Sequence, residues 1–557
     1  MLIPRLILHS TKHGGEAGER EFNRRIAKFD AGEWDSLLVL MRLSVLPHPG
    51  RRQQTKQQRI DMAHTLIHQG ELSHAARKLV SEEIAPGDQR TLNELTKPSL
   101  RPTQLSEPLP DGCANFVPEH PLALNKQIFA DVLRQCRRGQ SSGLLGSRYE
   151  YFKACLEDEI AFDCLFDVAQ ILAKAQAPML ILDALRHSAL TALLKPNARV
   201  RGIASGDAFR RLVTKALARQ YQEELRDAVF PHNVGLCNRS GTDTAIHFLR
   251  YLSDANPDKI VLSIDGVGAF DHVCRARMFE QMLANPRLQP LIHYVHQWYG
   301  TKTKFMWTDD MGDMHSIVQG DGGEQGDALM PALFCLALHP AIEEVCASLP
   351  EGAHAVAYLD DIYIVCEKGE VINALTSTAD ILQRVCHIDV NVGKLAAWCK
   401  NVCEPPAGFT EQFGDNAWKP SRPSLENGMK ILGAPFGSAE YMQEFFDNIL
   451  TEEAKLFEII PKLPSLQDSW LLLYFCAVPR INHLLRIVPP KVVQPLAQAH
   501  DQRIFHTFSK VFALPATAEW DDILHGVTVD MVMSQAQLSV RMSGLGLRNH
   551  VRLSSAA

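Results

Sequence analysis

The sequence lacks a long hydrophobic run, which argues against a membrane-spanning helix. The longest apolar run in its C-terminal half, residues 470–478, has nine residues, whereas a helix needs about 20 to cross a bilayer. The opening residues, MLIPRLILHSTKHGGE, turn polar almost at once and contain no small-residue cleavage site. We therefore expect no secretory signal and no membrane partner.

The chain also lacks cysteine pairs at zinc-site spacing, because Cys399 and Cys403 are four residues apart and have no second pair nearby. Its 13 cysteines are scattered and odd in number, and no two of them form a Cys-x-x-Cys motif. This usage favours reduced thiols in an intracellular protein over a disulfide framework. No Cys/His zinc cluster and no separate endonuclease domain is visible in the sequence.

An excess of positive charge is missing as well, because the net charge is -7 and the pI is about 6.3. Composition alone therefore does not indicate a nucleic-acid-binding protein. One segment departs from this balance: residues 195–226 contain eight lysines and arginines against three acidic residues. Such a run is either a surface for nucleic acid or a solvated helix face, and both interpretations stay open at this point.

The pattern along the chain predicts three parts. Residues 1–118 form a helical N-terminal extension followed by a proline-punctuated linker, and residues 439–557 are helical again. Between them, in residues 119–438, short β-branched runs interleave with helical periodicity. Strands and helices mixed in the centre, with helices at both ends, indicate an α+β fold.

Two apolar segments of the centre each deliver carboxylates. Residues 259–264 form an apolar strand that ends in Asp265, and residues 355–365 form a hairpin with Asp360 and Asp361 at its turn. If the strands are neighbours, three negative charges meet, and such a cluster is costly unless cations neutralise it. Oxygen ligands of this kind suit Mg²⁺. The pattern predicts a two-metal centre for nucleotidyl transfer that holds two Mg²⁺ ions, or Mn²⁺ in their place.

Three motifs in this order resemble those of a known family. They are DGVGAFD at 265–271, GEQGDALMPALF at 323–334 and YLDD at 358–361. They are similar to the palm motifs of reverse transcriptases. Further segments, at 194–203, 209–215, 239–247, 391–394, 431–436 and 542–547, resemble the site-specific, LINE-type group of non-LTR retrotransposons.

The resemblance implies a right-hand polymerase with helical fingers, an antiparallel-sheet palm and a helical thumb. Fingers and palm would occupy residues 119–438, and the thumb and C-terminal region residues 439–557. The implied activity is RNA-directed DNA polymerisation, with an RNA template, a DNA primer and dNTPs as partners. The implied location is nuclear or cytoplasmic, with the nucleus slightly favoured, and the oligomeric state stays open.

Roles for the catalytic residues also come from the resemblance. Asp265 and Asp360 would hold both metal ions, with Asp361 alongside. Lys394 would act as the general acid that protonates the pyrophosphate leaving group. A surface ion pair is an equally good interpretation of Lys394.

The same resemblance implies the substrate contacts. Lys195 and Arg201 would reach the triphosphate, because cationic side chains neutralise phosphate. Phe270 would exclude a 2′-hydroxyl as a steric gate, although it is also a reasonable core residue. Gln325 and Gly326 would lie against the nascent base pair, where glycine permits close approach.

A hairpin at Leu432 and Gly433 would grip the primer. The chain departs from the family pattern at three positions, where Gly202, Ala328 and Met330 replace the usual proline, proline and serine. None of these changes removes a metal ligand. Two alternatives therefore stay open: a catalytically decayed RNA-binding derivative of a retroelement, and a group II intron-type or telomerase-like reverse transcriptase.

Overall fold

The structure is a computed structural model that describes residue 7 and residues 15–44, 55–80, 84–194, 199–236, 238–514 and 528–555. Helices dominate these residues. The first half contains α1–α12: Gly15–Asp30, Trp34–Ser44, Lys56–His68, Leu72–Val80, Gln89–Leu95, Lys126–Gln135, Tyr149–Ala154, Glu159–Ala173, Met179–Arg186, Ala208–Gln220, Gln222–Asp227 and Gly241–Ala255. The second half contains α13–α24: Ala269–His272, Arg275–Ala284, Ile292–Tyr299, Met330–Ser348, Val371–Cys386, Phe409–Phe413, Ala439–Ile459, Leu466–Leu472, Asn482–Ile487, Pro490–Val511, Val529–Gln537 and His550–Ser554.

The strands form three sheets. Strands β1–β10 are His187–Leu194, Val200–Ser205, Ile260–Ile264, Thr303–Thr308, Met314–Gln319, His354–Tyr358, Asp361–Cys366, Ala396–Trp398, Gly428–Ile431 and Ala434–Gly437. They pair in the orders β6-β7-β3-β8, β2-β1-β4-β5 and β10-β9. The described chain is therefore of the mixed α+β class that the sequence predicted.

The first sheet is wholly antiparallel and carries the acidic residues. Strand β3 pairs with β7 and β8, and β7 pairs with β6. The central strands are buried on both faces: four of the five residues of β3 and five of the six residues of β7 are buried, and the others are half-buried. This burial explains why the two segments are almost continuously apolar up to their carboxylates.

The second sheet adds strands to the part of the chain where the resemblance implied helical fingers. Strands β1 and β2 pair with each other around the motif segment 194–203, and β1 pairs in parallel with β4. Every second residue of β1 is buried up to Ala192, which is the alternation of a half-buried strand. The β1–β4 pairing joins segments more than a hundred residues apart, so local periodicity could not reveal it.

Helix α16 runs through the main core. Its 19 residues make it the one helix in the described ranges that is long and apolar enough to cross a membrane, and most of it is buried inside the protein. It contacts α14, α17 and β6. The apolar character of α16 is therefore explained by its central place beneath the antiparallel sheet.

The N-terminal helices pack against the C-terminal ones. Ile60, Ala63 and Ile67 of α3 share a buried cluster with Leu472 and Phe508, among others. Thr55 begins α3 with a capping box in which Gln58 is the partner, and this arrangement fixes the start of the helix. Helices α3 and α4 therefore pack against the region proposed to be the thumb. The domain limits at 118/119 and 438/439 stay predictions.

Candidate active site

The three acidic residues lie where neighbouring strands begin or end, at one edge of the antiparallel sheet. Ile264 pairs with Ile362, so Asp265 and Asp361 follow next on adjacent strands. Tyr358 pairs with Asp361 across the hairpin, which leaves Leu359 and Asp360 as its two-residue turn. Strand register therefore brings to one place the three carboxylates that the sequence singled out.

The hairpin turn is held by a residue that the sequence reasoning missed. Leu359 has a positive φ of 55°, which is unfavourable for a residue with a branched side chain. The Oδ1 atom of Asn233 accepts a hydrogen bond from the Leu359 N–H, and its Nδ2 donates to the Leu359 carbonyl, both at 3.2 Å. Asn233 is 5% exposed. This buried amide thus fixes the backbone that carries Asp360.

The closeness of the carboxylates shows in their electrostatics. Burial, followed by the charges of Asp360 and Asp265, raises the pKa of Asp361 to about 6. The pKa of Asp360 is also raised, mainly by burial and in part by the charge of Asp265. Mutual repulsion of this kind is the expected signature of an anionic site that binds cations.

Cationic side chains face this acidic cluster. The Nζ atom of Lys394 lies 2.7 Å from Oδ2 of Asp265, and the Lys394 side chain is 62% exposed. Asn391 donates its backbone N–H to the carbonyl oxygen of Asp265 at 2.8 Å. Burial raises the pKa of both Asp360 and the nearby Asp271, and the positive charge of Arg201 partly offsets that rise. The structure therefore brings Lys394 and Arg201 to the site, whereas Lys195 lies outside the described residues.

The same part of the chain matches a known family. Residues 195–436 match the family described as "Reverse transcriptase (RNA-dependent DNA polymerase)". The chain carries a reverse transcriptase domain. The resemblance drawn from the sequence is thereby confirmed.

A curated relative supports the assignment. The chain is 23% identical over 436 residues to the "Retrotransposable element SLACS 132 kDa protein" of Trypanosoma brucei gambiense. The match covers 78% of this chain and 34% of that protein, so the chain spans about a third of the length of its relative. The two proteins are distant homologues.

Two solved structures of telomerases are also similar. Apo telomerase from Candida tropicalis, truncated from the C-terminal domain, is 12% identical with a TM-score of 0.33, covering 46% of this chain and 54% of the other. Telomerase from Candida albicans, in complex with the TWJ fragment of telomeric RNA, is 11% identical with a TM-score of 0.37, covering 63% and 66%.

Gln325 and Gly326 lie on the exposed part of a loop of the reverse transcriptase domain. A Cβ atom on Gly326 would come within 2.4 Å of the Ala204 carbonyl oxygen in β2. Glycine is thus required here by a close approach of the protein's own backbone. This packing against β2 is sufficient to explain why residue 326 is a glycine. That Gln325 and Gly326 lie against the nascent base pair stays a prediction.

A buried ion-pair network anchors this loop. Arg210 of α10 is 2% exposed, and its Nη1 lies 2.8 Å from Oε1 of Glu324. Its Nη2 lies 3.4 Å from Oδ2 of Asp327, which also accepts a hydrogen bond from the Tyr299 hydroxyl at 2.8 Å. Interpreting Arg210 as part of a nucleic-acid surface within the basic segment 195–226 is therefore wrong. The positive charge of Arg210 is neutralised by the buried carboxylates of Glu324 and Asp327.

The positions that depart from the family pattern have local packing partners. A Cβ atom on Gly202 would meet Cδ2 of Leu95 at 3.0 Å, because α5 packs over β2. The Sδ atom of Met330 occupies the space next to Gly323. Ala328 is half-buried, and the structure gives no further reason for it. None of these three positions is a carboxylate of the acidic cluster.

The sequence left two interpretations of Phe270, a steric gate and a core residue. Its ring stacks on Phe334, with centroids 4.4 Å apart and planes 16° from parallel. The residue is half-buried and packs against the main core. One face of Phe270 is therefore supported by the core, and the role of its remaining surface as a steric gate stays a prediction.

Leu432 and Gly433 form the turn of the β9–β10 hairpin, with φ values of 45° and 91°. Tyr363, on the strand of Asp361, reaches the backbone of Leu432, and burial raises the pKa of that phenol well above its usual range. Leu432 and Tyr358 also line a cavity of about 330 Å³ beside Arg486. The hairpin predicted to grip the primer thus lies next to the acidic strands.

Proposed function

We propose that this protein is an RNA-directed DNA polymerase that adds dNTPs to a primer 3′ end by two-metal nucleotidyl transfer. The observation that carries the proposal is the meeting of Asp265, Asp360 and Asp361 at one sheet edge, where their charges oppose one another. Their setting in a reverse transcriptase domain supports the choice of reaction. By analogy with its relative, we place this activity in an intracellular retroelement, in the nucleus or the cytoplasm.

The donor set fits divalent metal ions. Asp265, Asp360 and Asp361 would hold them, because hard cations prefer carboxylate oxygens and relieve the repulsion between these groups. When bound, the metal ions supply charge stabilisation for the attacking and leaving oxygens. Asn233 holds the turn that carries Asp360 in place, so the site requires little rearrangement of the backbone.

The cations of the chain provide the remaining chemistry. The positive charge of Arg201 partly offsets the burial that raises the pKa of Asp360, so its guanidinium is near enough to neutralise a triphosphate bound beside the acidic cluster. Lys394 now pairs with Asp265 at 2.7 Å. Once released from this ion pair, the ammonium group of Lys394 would donate a proton to the pyrophosphate leaving group.

Primer extension tests the proposal directly. The full chain should extend an annealed DNA primer with dNTPs and Mg²⁺ on an RNA template, and Asp265→Asn should not. Retained RNA binding with no extension on any template would favour the decayed RNA-binding derivative. Extension on DNA but not on RNA templates would contradict the proposed template class.

Lowering the pH should raise the Mg²⁺ requirement of the reaction. Ligand carboxylates must be deprotonated, and Asp361 has a pKa of about 6. Below that pH, the Mg²⁺ concentration for half-maximal extension should rise about tenfold per pH unit for one displaced proton. Mg²⁺ titrations of extension between about pH 5 and pH 8 measure this. A constant requirement across that range would contradict the assignment of Asp361.

The stability of the metal-free protein should fall as the pH rises through the range in which Asp361 loses its proton. The pKa of Asp361 rises from 3.8 to about 6, so between these values the native state binds more protons than the unfolded state. Its contribution to stability is therefore lost as the pH rises from about 4 to about 6. Asp361→Asn should remove this part of the pH dependence of the melting temperature.

Replacing Phe270 with valine should admit ribonucleotides. A ring held by Phe334 leaves little room for a 2′-hydroxyl, and a group buried without a hydrogen-bond partner is penalised. Each 1.4 kcal/mol of discrimination is worth about tenfold, so we expect the dNTP-to-rNTP efficiency ratio to fall by about tenfold or more.

The control is Phe409→Val, in a buried ring that contacts Phe413 and Trp418 instead. Both variants lose packing, but only Phe270→Val should change the ratio. A high wild-type ratio that survives Phe270→Val would show that this ring is only a core residue.

A further inference from the structure

A cluster of metal-ligating side chains lies outside the reverse transcriptase domain. It consists of His64 and His68 of α3 and Asp468 of α20, and their ligand atoms all lie within 4.8 Å of one another. The Nδ1 atom of His64 is 2.5 Å from Oδ2 of Asp468, and Nε2 of His68 is 3.8 Å from Oδ1. The three residues therefore converge on one point between two helices that are far apart in sequence.

The helix geometry brings both imidazoles to the same side. Residues four apart on a helix lie one turn above the other, and the His64 and His68 rings contact each other edge to face at 4.4 Å. This i, i+4 spacing of two histidines is one that places two ligands on a single metal ion.

The charge of Asp468 needs a cation. Its side chain is 2% exposed, and its two oxygens face His64 and His68, with no lysine or arginine paired to it in the described ranges. Burying a carboxylate without a compensating charge is costly. Asp468 also stands three residues after the N-cap Ser465, where an acidic side chain commonly turns back to its own helix. Here it points to α3 instead.

The arrangement leaves room for an ion. The His64 and His68 side chains are 42% and 61% exposed, so an ion and a water molecule can enter from the solvent side. Ligands at about 2.0–2.1 Å from a tetrahedral zinc ion are separated by about 3.3 Å. The His68–Asp468 distance of 3.8 Å must shorten and the His64–Asp468 hydrogen bond must open when an ion binds.

A second cluster provides an instructive contrast. Glu107, Cys274 and His387 also have ligand atoms within 4.8 Å. Glu107, however, is already neutralised by Arg277, whose Nη2 lies 2.9 Å from both of its carboxylate oxygens. An ion there would have to displace an arginine, whereas the groups that contact Asp468 are the imidazoles that would themselves bind the ion.

We propose that His64, His68 and Asp468 bind a divalent transition-metal ion, of which Zn²⁺ is the best match, and that the ion joins the N-terminal helices to the C-terminal helical region. Two nitrogen ligands and one carboxylate, with one position left for water, are a common zinc coordination set. The ion would supplement the apolar contacts between α3 and α20. Binding to the folded state alone would stabilise it.

Zinc titration of the chelator-stripped full chain tests the proposal. His68→Ala is the primary variant, because its side chain is mostly exposed and its loss should not disturb folding. His387→Ala is the matched control from the second cluster. Millimolar Mg²⁺ in all samples keeps the carboxylates of the polymerase site occupied. Zinc content, affinity by chelator competition, and the melting temperature with and without Zn²⁺ are the readouts.

The wild type and His387→Ala should each bind one more Zn²⁺ than His68→Ala. Loss of a residue that only hydrogen-bonds to a metal ligand weakens metal binding roughly 10- to 100-fold. Loss of His68, a direct ligand, should weaken Zn²⁺ binding at this site by more than that. Zn²⁺ should raise the melting temperature of the wild type but not that of His68→Ala. Equal stoichiometry and affinity in wild type and His68→Ala would overturn the proposal, as would loss of the ion in His387→Ala alone.

Discussion

Asp360→Asn should abolish nucleotide addition while leaving the fold intact. The side chain sits in the two-residue turn of the β6–β7 hairpin, where Asn233 holds the backbone independently of the carboxylate. The substitution therefore removes a metal-binding charge and no packing. Charge stabilisation by a bound metal is worth several kcal/mol, and each 1.4 kcal/mol is tenfold, so extension should fall at least roughly 1,000-fold.

The stability of the Asp360→Asn variant should move the other way. The charges of Asp360 and Asp265 both raise the pKa of Asp361, so removing one of them relieves repulsion in the metal-free protein. Its melting temperature should be equal to or slightly above that of the wild type. Asp380→Asn, at an exposed position on α17, is the matched control and should extend primers normally. Wild-type extension by Asp360→Asn under Mg²⁺ would remove Asp360 from the metal site.

Arg210→Met should strongly destabilise the domain. The guanidinium pairs with Glu324 and Asp327 and lies over the Trp298 ring, 4.3 Å from its centroid. Methionine fills part of the space but leaves two buried carboxylates without their cation. Breaking a buried pair from one side costs about 3–5 kcal/mol. Chemical unfolding of the wild type and the variant measures this loss.

A control on the same helix separates burial from charge. Arg219 of α10 is exposed and hydrogen-bonds to Gln135, so Arg219→Met should change stability by no more than about 0.5 kcal/mol. Adding Glu324→Gln and Asp327→Asn to Arg210→Met should recover part of the lost stability, because the residues are coupled. Equal effects of Arg210→Met and Arg219→Met would show that the basic segment is a solvated face after all.

The sequence by itself determined the elements that local chemistry encodes. Apolar strands that end in Asp265 and in the Asp360–Asp361 pair are visible as short runs, and their motif order identified the domain before any fold was known. The resemblance implied an antiparallel sheet, and the structure pairs β3 with β7 in this way. These features were predictable because alternation, β-branching and turn residues are properties of neighbouring positions.

Only the tertiary structure decided which distant residues meet. Arg210 looked like its basic neighbours, yet burial turned it into the anchor of the loop at Glu324 and Asp327. Asn233 braces a turn 126 residues away, and His64 meets Asp468 across 404 positions. Chain order carries little information about such contacts, because they are selected by the burial of whole helix and strand faces and by the cost of leaving a polar group unpaired inside.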